Sequence, residues 1–194
     1  MVIASDLRLF TVQDYHQLVA TGILKPDERV ELLGGQLFQM ALKGTAHSAA
    51  MTRIERVLTQ CLGARALLRW QDPVQLDDFS EPEPDVAVVS QDANDYEDHH
   101  PTPAEIFWLI EVADTTLMRD REIKAPLYSR SQIPEYWLVN IPGRCLHVFR
   151  ELGPAGYGRE WILTEKETIA PLAFPDCLIA IGAFFRSRDT TQVG

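Results

Sequence analysis

The sequence lacks most of the features that would settle a class at once. No apolar run approaches the roughly 20 residues of a membrane-spanning helix, so no membrane is expected as a partner. The opening residues, MVIASDLRLF, have no charged start and no long apolar stretch, so no signal peptide is expected. Cysteine is scarce and odd in number: Cys61, Cys145 and Cys177 stand far apart and form no CxxC pair. That pattern excludes a cysteine metal knuckle and argues against a disulfide framework. The expectation is a reduced, cytoplasmic protein. Positive charge is also short, with 18 Lys and Arg against 28 Asp and Glu and a net charge of −10. A general nucleic-acid coat, which binds by neutralising phosphates, does not fit that balance. A nuclease remains compatible, because acids that hold divalent cations also make a chain acidic. The turn "ELLGGQ" lacks the glycine spacing and the Lys-Ser/Thr of a phosphate-binding loop. There is no internal repeat, no low-complexity segment and no linker.

What is present is an ordinary globular composition, 46% hydrophobic and 24% charged over 194 residues. That length suits one domain with a sizeable core. Residues 11–21, TVQDYHQLVAT, predict a short helix capped by Thr11. VELLGGQLFQM, residues 30–40, reads as two strands around Gly34-Gly35. The apolar spacing of Ala49, Ile54, Val57, Leu58, Cys61 and Leu62 predicts a helix over 45–62, ended by Gly63. Short strands are expected at 66–71 and 73–78, and a strong one at 84–90. A polar loop follows over 91–103. EIFWLIEVAD, residues 105–114, is apolar almost throughout and suits a central strand covered on both faces. A helix is expected near 121–131, then a hairpin of 135–141 and 144–152 around Pro142-Gly143. A last strand at 157–165 leads into an irregular cover to Phe185. The final residues, RSRDTTQVG, are polar and read as loose. The whole predicts a single α/β domain over 1–194: an N-terminal helix at 11–21, a core of about 30–150 and C-terminal strands and cover over 151–185. A mixed sheet would carry helices on both faces.

Two acids stand out against this pattern. Asp85 heads the strand VAVV, and Glu111 falls inside WLIEVAD. A carboxylate among Leu109, Ile110 and Val112 is costly to desolvate unless it is paired or binds a cation. If the two strands lie side by side, Asp85 and Glu111 converge, and a hard cation such as Mg²⁺ takes such an oxygen site. Lys124 follows Glu111 by 13 residues, and Asp120 stands one helical turn before it. Glu31 is a further acid in an apolar setting, and His47 opens the 45–62 helix. Each has a plainer account when taken alone. Asp85 can close a turn, and Glu111 can hold a structural Arg or Lys. Asp120 and Lys124 can be a solvated helical pair, Glu31 an edge-strand residue and His47 a packing histidine. Glu81 and Glu83 read as solvated acids. Tyr128, Tyr136 and Trp137 read as core or rim.

The order Glu31, Pro84-Asp85, Glu111, Lys124 resembles the PD-(D/E)XK nuclease superfamily. More closely, the chain is similar to the Uma-two-type restriction endonuclease family. The resemblance rests on VELLGGQLFQM with GTAH after it, EPDVAVV, LIEVADTTLMRDREIKAPLYSRSQIPEYWLVN and LHVFRE, most of residues 30–150. It implies a restriction-endonuclease-like core and hydrolysis of DNA by a metal-activated water. Asp85 and Glu111 would bind Mg²⁺, with Mn²⁺ as a substitute, and Glu31 would be a further ligand. Lys124 would polarise the scissile phosphate or orient the water, with Asp120 and His47 in support. The superfamily pattern places its lysine where this chain has Ala113, so Lys124 must replace it from the helix. Many nucleases of the superfamily are dimers, which implies a homodimer. Two alternatives stay open: a non-catalytic binding or interaction module of the same fold, and a hydrolase of another phosphate substrate.

Overall fold

The computed structural model describes residues 7–25 and 27–187. The first six residues and the last seven, on which the readings of the two chain ends largely fall, lie outside the described residues. Helix α1 (Val12–Ala20) starts where Thr11 allows it. The Thr11 hydroxyl accepts the Asp14 amide at 3.0 Å, and the Asp14 carboxylate accepts the Thr11 amide. Such a reciprocal cap contributes about 1 kcal/mol. The hairpin of β1 (Val30–Leu33) and β2 (Gln36–Gln39) turns at Gly34 and Gly35, whose φ angles of +56° and +77° favour glycine.

Helix α2 (Thr45–Leu62) turns one face to the core, burying His47, Ala50, Ile54, Leu58 and Leu62 at helical spacing. Beside it lies a six-stranded sheet in the order β3 (Leu67–Arg69), β4 (Val86–Val89), β5 (Ile106–Ala113), β6 (Tyr136–Asn140), β7 (Cys145–Gly153), β8 (Gly156–Thr164). Every neighbouring pair is antiparallel except β5 and β6. The parallel pair needs a crossover. It is supplied by one continuous helical run: α3 (Leu117–Arg119), a π-helical stretch (Asp120–Lys124) and α4 (Ala125–Arg130).

The sheet has a core on each face. One holds Ile54 and Leu58 of α2 against Val86, Val88, Trp108, Ile110, Trp137 and Val148, closed by Ile179, Ile181 and Phe184 from the C-terminal cover. The other packs Leu127 and Tyr128 of α4 against Ala87, Leu109, Leu138, Tyr136 and Phe149. This two-sided burial explains why β5 is apolar at nearly every position. The cover adds only a two-residue pair, β9 (Thr168–Ile169) with β10 (Ile179–Ala180).

Three expectations are corrected. Residues 73–78 form no strand. Val74 and Leu76 are buried alternately, as in a strand, but their amides bond Pro82 and Ser80 within a loop. Cys61 and Cys177 are joined by a disulfide across 116 residues, with Cα atoms 5.6 Å apart. The ground for expecting only reduced thiols is thereby removed; Cys145 alone is free. Glu81 is not solvated: it is 4% exposed, and its carboxylate meets His16 Nε2 at 2.8 Å. Among the described residues no helix is long and apolar enough to cross a membrane.

Candidate active site

Strand register decides where the acids meet. Val86 pairs with Ile110 in the antiparallel β4–β5 ladder, so Asp85, one step earlier, falls opposite Glu111. Both leave the face of the sheet that α4 covers, the face of Ala87 and Leu109. The backbone confirms the approach: the Val112 amide donates to Asp85 Oδ2 at 2.9 Å. Gln71 Nε2 donates to Asp85 Oδ1 at 3.0 Å. His47, at the start of α2, brings Nε2 to 3.0 Å from the same oxygen, within ion-pair distance but outside hydrogen-bond alignment.

Glu31 arrives from a separate element. The Leu32 and Glu81 backbones bridge the β1–β2 hairpin to residues 80–83, which delivers Glu31 to the pocket with 1% exposure. Lys124 then enters from the crossover helix. Its Nζ donates to Glu111 Oε1 at 2.8 Å and lies 2.9 Å from Glu31 Oε2. Tyr128 Oη donates to the same Glu111 oxygen at 2.8 Å. Asp120 and Lys124 stand at the two ends of the π-helical stretch and both point inward, each 2% exposed. They are therefore not a solvated helical pair. Asp120 does not bond Lys124 either: its carboxylate accepts the Thr116 hydroxyl at 2.5 Å.

These groups line a pocket of 270 Å³ with six carboxylates: Glu31, Glu83, Asp85, Glu111, Asp114 and Asp120. Its cations are Lys43, Arg119 and Lys124. Burial pushes the Glu111 carboxyl up to about 8, against the pull of Lys124, with Asp120, Asp85 and Glu31 adding to the rise. Burial would lower the Lys124 ammonium, but Glu111, Glu31 and Asp120 more than offset it, so the ammonium stays charged. Burial also raises Asp120 and Glu83. The surplus negative charge is thus held at a cost, which a cation would relieve.

Among the described residues, no three His, Cys, Asp or Glu side chains are arranged to hold a metal ion. Lys124 fills the space between Glu31 and Glu111, and Asp85 is engaged by neutral donors. The chemistry of the donor set nevertheless fits a hard divalent cation. Every acid offers oxygen, and Glu31 Oε1 is buried with no hydrogen-bond partner.

The site therefore gathers Asp85, Glu111, Lys124, Glu31, Asp120 and His47, all named from sequence. Four more contributors were not. Glu83 passed for a solvated acid and Tyr128 for packing. Gln71 and Lys43 had no signal, because their role comes from loops that fold beside the pocket.

A mixed sheet with a helix on each face and acids at the mouth of its central pair defines the class: a nuclease-type α/β fold. Among solved structures, the chain is similar to a protein from Anabaena variabilis ATCC 29413, titled a putative nuclease belonging to DUF820. The TM-score is 0.70 at 14% identity, covering 90% of this chain and 97% of that one. A type IIG restriction endonuclease, BpuSI, matches with a TM-score of 0.38 at 16% identity, over 56% of this chain and 11% of its own. No curated protein matches the chain. The Uma2 family model, described as "Putative restriction endonuclease", matches residues 12–182. The chain belongs to the Uma2 family.

Proposed function

We propose that this protein is a Mg²⁺-dependent endonuclease that hydrolyses DNA phosphodiester bonds. Family membership supports the reaction class. The observation that carries the residue assignment is the contact of Lys124 with Glu31 and Glu111 in a buried pocket that Asp85 also lines. Asp85 and Glu111 are the proposed metal ligands and Glu31 a further one. Bound Mg²⁺ would supply Lewis-acid neutralisation of phosphate charge and a water of lowered pKa.

The chain's own residues prepare that chemistry. Val112 and Gln71 fix the Asp85 carboxylate, so its direction is set before any ligand arrives. Glu31 and Glu111 hold the Lys124 ammonium in the pocket, where it would polarise the scissile phosphate or orient the attacking water. Asp120 keeps that ammonium charged through its field. His47 braces Asp85 and forms part of the wall. A homodimer would supply the second site that cutting both strands requires.

Plasmid cleavage with Mg²⁺ tests the reading. Asp85→Ala and Glu111→Ala should each abolish it; cleavage by both at the parent rate would refute it. One observation favours a second reading, a non-catalytic module of the same fold: Lys124 already satisfies two of the acids. Such a module would gain no heat stability from Mg²⁺ or Mn²⁺, whereas a metal enzyme would.

A further inference from the structure

Gly44 and His47, at the start of α2, line the acidic pocket, and residues beside them in sequence line a second, separate groove. Thr45 and Ala46, in the same first turn of α2, line a cavity of 410 Å³ with Arg53, Arg144 and Arg186. Its lining contains no acidic side chain among the described residues, in a chain of net charge −10. The acid-lined pocket and the arginine-lined groove thus meet across one helical turn.

The arginines are held differently. Arg144 is anchored: its guanidinium pairs with Glu165, donates to the Arg186 carbonyl at 3.0 Å and lies over the Phe185 ring. Arg53 has no carboxylate within ion-pair distance among the described residues. A partly buried cation without a counter-ion, in a groove without acids, is arranged to receive an anion from outside. The small side chains Thr45, Ala46 and Ala49 leave room for a bulky one to approach the helix.

Spacing says what kind of anion. Six residues of α2 separate His47 from Arg53, about 9 Å of helix. A DNA strand carries one charge per about 3.4 Å of axis. A strand whose scissile phosphate entered the acidic pocket would place its next phosphates along the arginines.

We infer that the groove of Arg53, Arg144 and Arg186 is the track for the DNA backbone flanking the scissile phosphate. This rests on the nuclease reading above. The track supplies the affinity that the acidic pocket, repelling phosphate, does not.

The test is binding of a fluorescein-labelled DNA duplex by the full chain, with Ca²⁺ in place of Mg²⁺, over a salt series. Arg53→Glu should weaken binding on the order of tenfold or more, and flatten the plot of log affinity against log salt by about 0.9 per lost contact. Arg53→Lys should keep most of the affinity. Arg159→Glu, on exposed β8, should change neither quantity. The melting temperature of Arg53→Glu should match the parent, which separates lost contact from lost fold. Parent-like affinity and slope in Arg53→Glu would overturn the track while leaving the nuclease reading intact. A parent protein that binds no duplex at all would overturn the nuclease reading and the track with it.

Discussion

Lys124 donates to Glu111 across the face of the central strand, Nζ to Oε1 at 2.8 Å, and both groups are almost fully buried. The same ammonium lies 2.9 Å from Glu31, which joins the crossover helix, the sheet and the β1–β2 hairpin through one charge. Removing it leaves two buried acids without their shared counter-charge. Lys124→Met should lower stability by about 3–5 kcal/mol, read from urea unfolding. Adding Glu111→Gln should recover part of that loss, because the two residues share one interaction. A single variant within about 1 kcal/mol of the parent would show that the pair has no structural weight.

The surplus of carboxylates predicts a response to metal. Mn²⁺ should raise the melting temperature of the parent, by a stabilisation of about 2.7 kcal/mol at a hundredfold excess over Kd. Asp85→Asn should lose that rise and still fold, since a side-chain amide oxygen can accept the Val112 amide. Equal Mn²⁺ shifts in parent and variant would place the ion elsewhere.

The disulfide joins the end of α2 to the C-terminal cover across 116 residues. Cys61→Ser should reduce stability by about 2–5 kcal/mol. The parent unfolded in the presence of a thiol reductant should match the variant. Identical urea midpoints for oxidised parent, reduced parent and Cys61→Ser would remove the bond from the account of stability.

His99 provides a pH signature away from the site. Hydrogen bonds to Asp98 and Glu105 hold its imidazole above the ordinary 6.5. A raised histidine contributes stability that is present in full below 6.5 and is lost as pH rises through the folded value. The stability difference between parent and His99→Gln should therefore be largest in mildly acidic buffer and vanish in alkaline buffer. An NMR titration of His99 should move down toward 6.5 in Glu105→Gln; no movement would dismiss the carboxylate as a cause.

Much of the fold was legible because its signals are local. Thr11 capped the helix it preceded, Gly34-Gly35 turned the hairpin, and the apolar spacing of Ile54, Leu58 and Leu62 set the buried face of α2. Residues 73–78 misled for the converse reason. Alternating burial of Val74 and Leu76 is the pattern of a strand, but only the partner of their amides, a neighbouring loop, decides the structure. The π-helical stretch had no readable cue beyond Pro126, which has no amide proton to continue a regular helix. Asp120 and Lys124 lie at its two ends, both buried.

The sequence by itself determined that an acid must head one strand and another must interrupt the next, because each is costly there without a partner. It also determined the family and the order of the candidate groups. Tertiary structure decided which partners they have. Register placed Asp85 opposite Glu111, the hairpin brought Glu31, and the ammonium of Lys124 went to those two acids rather than to Asp120 on its own helix. The reason is physical: desolvation and charge pairing act through space at a few ångströms, whereas sequence fixes only distance along the chain.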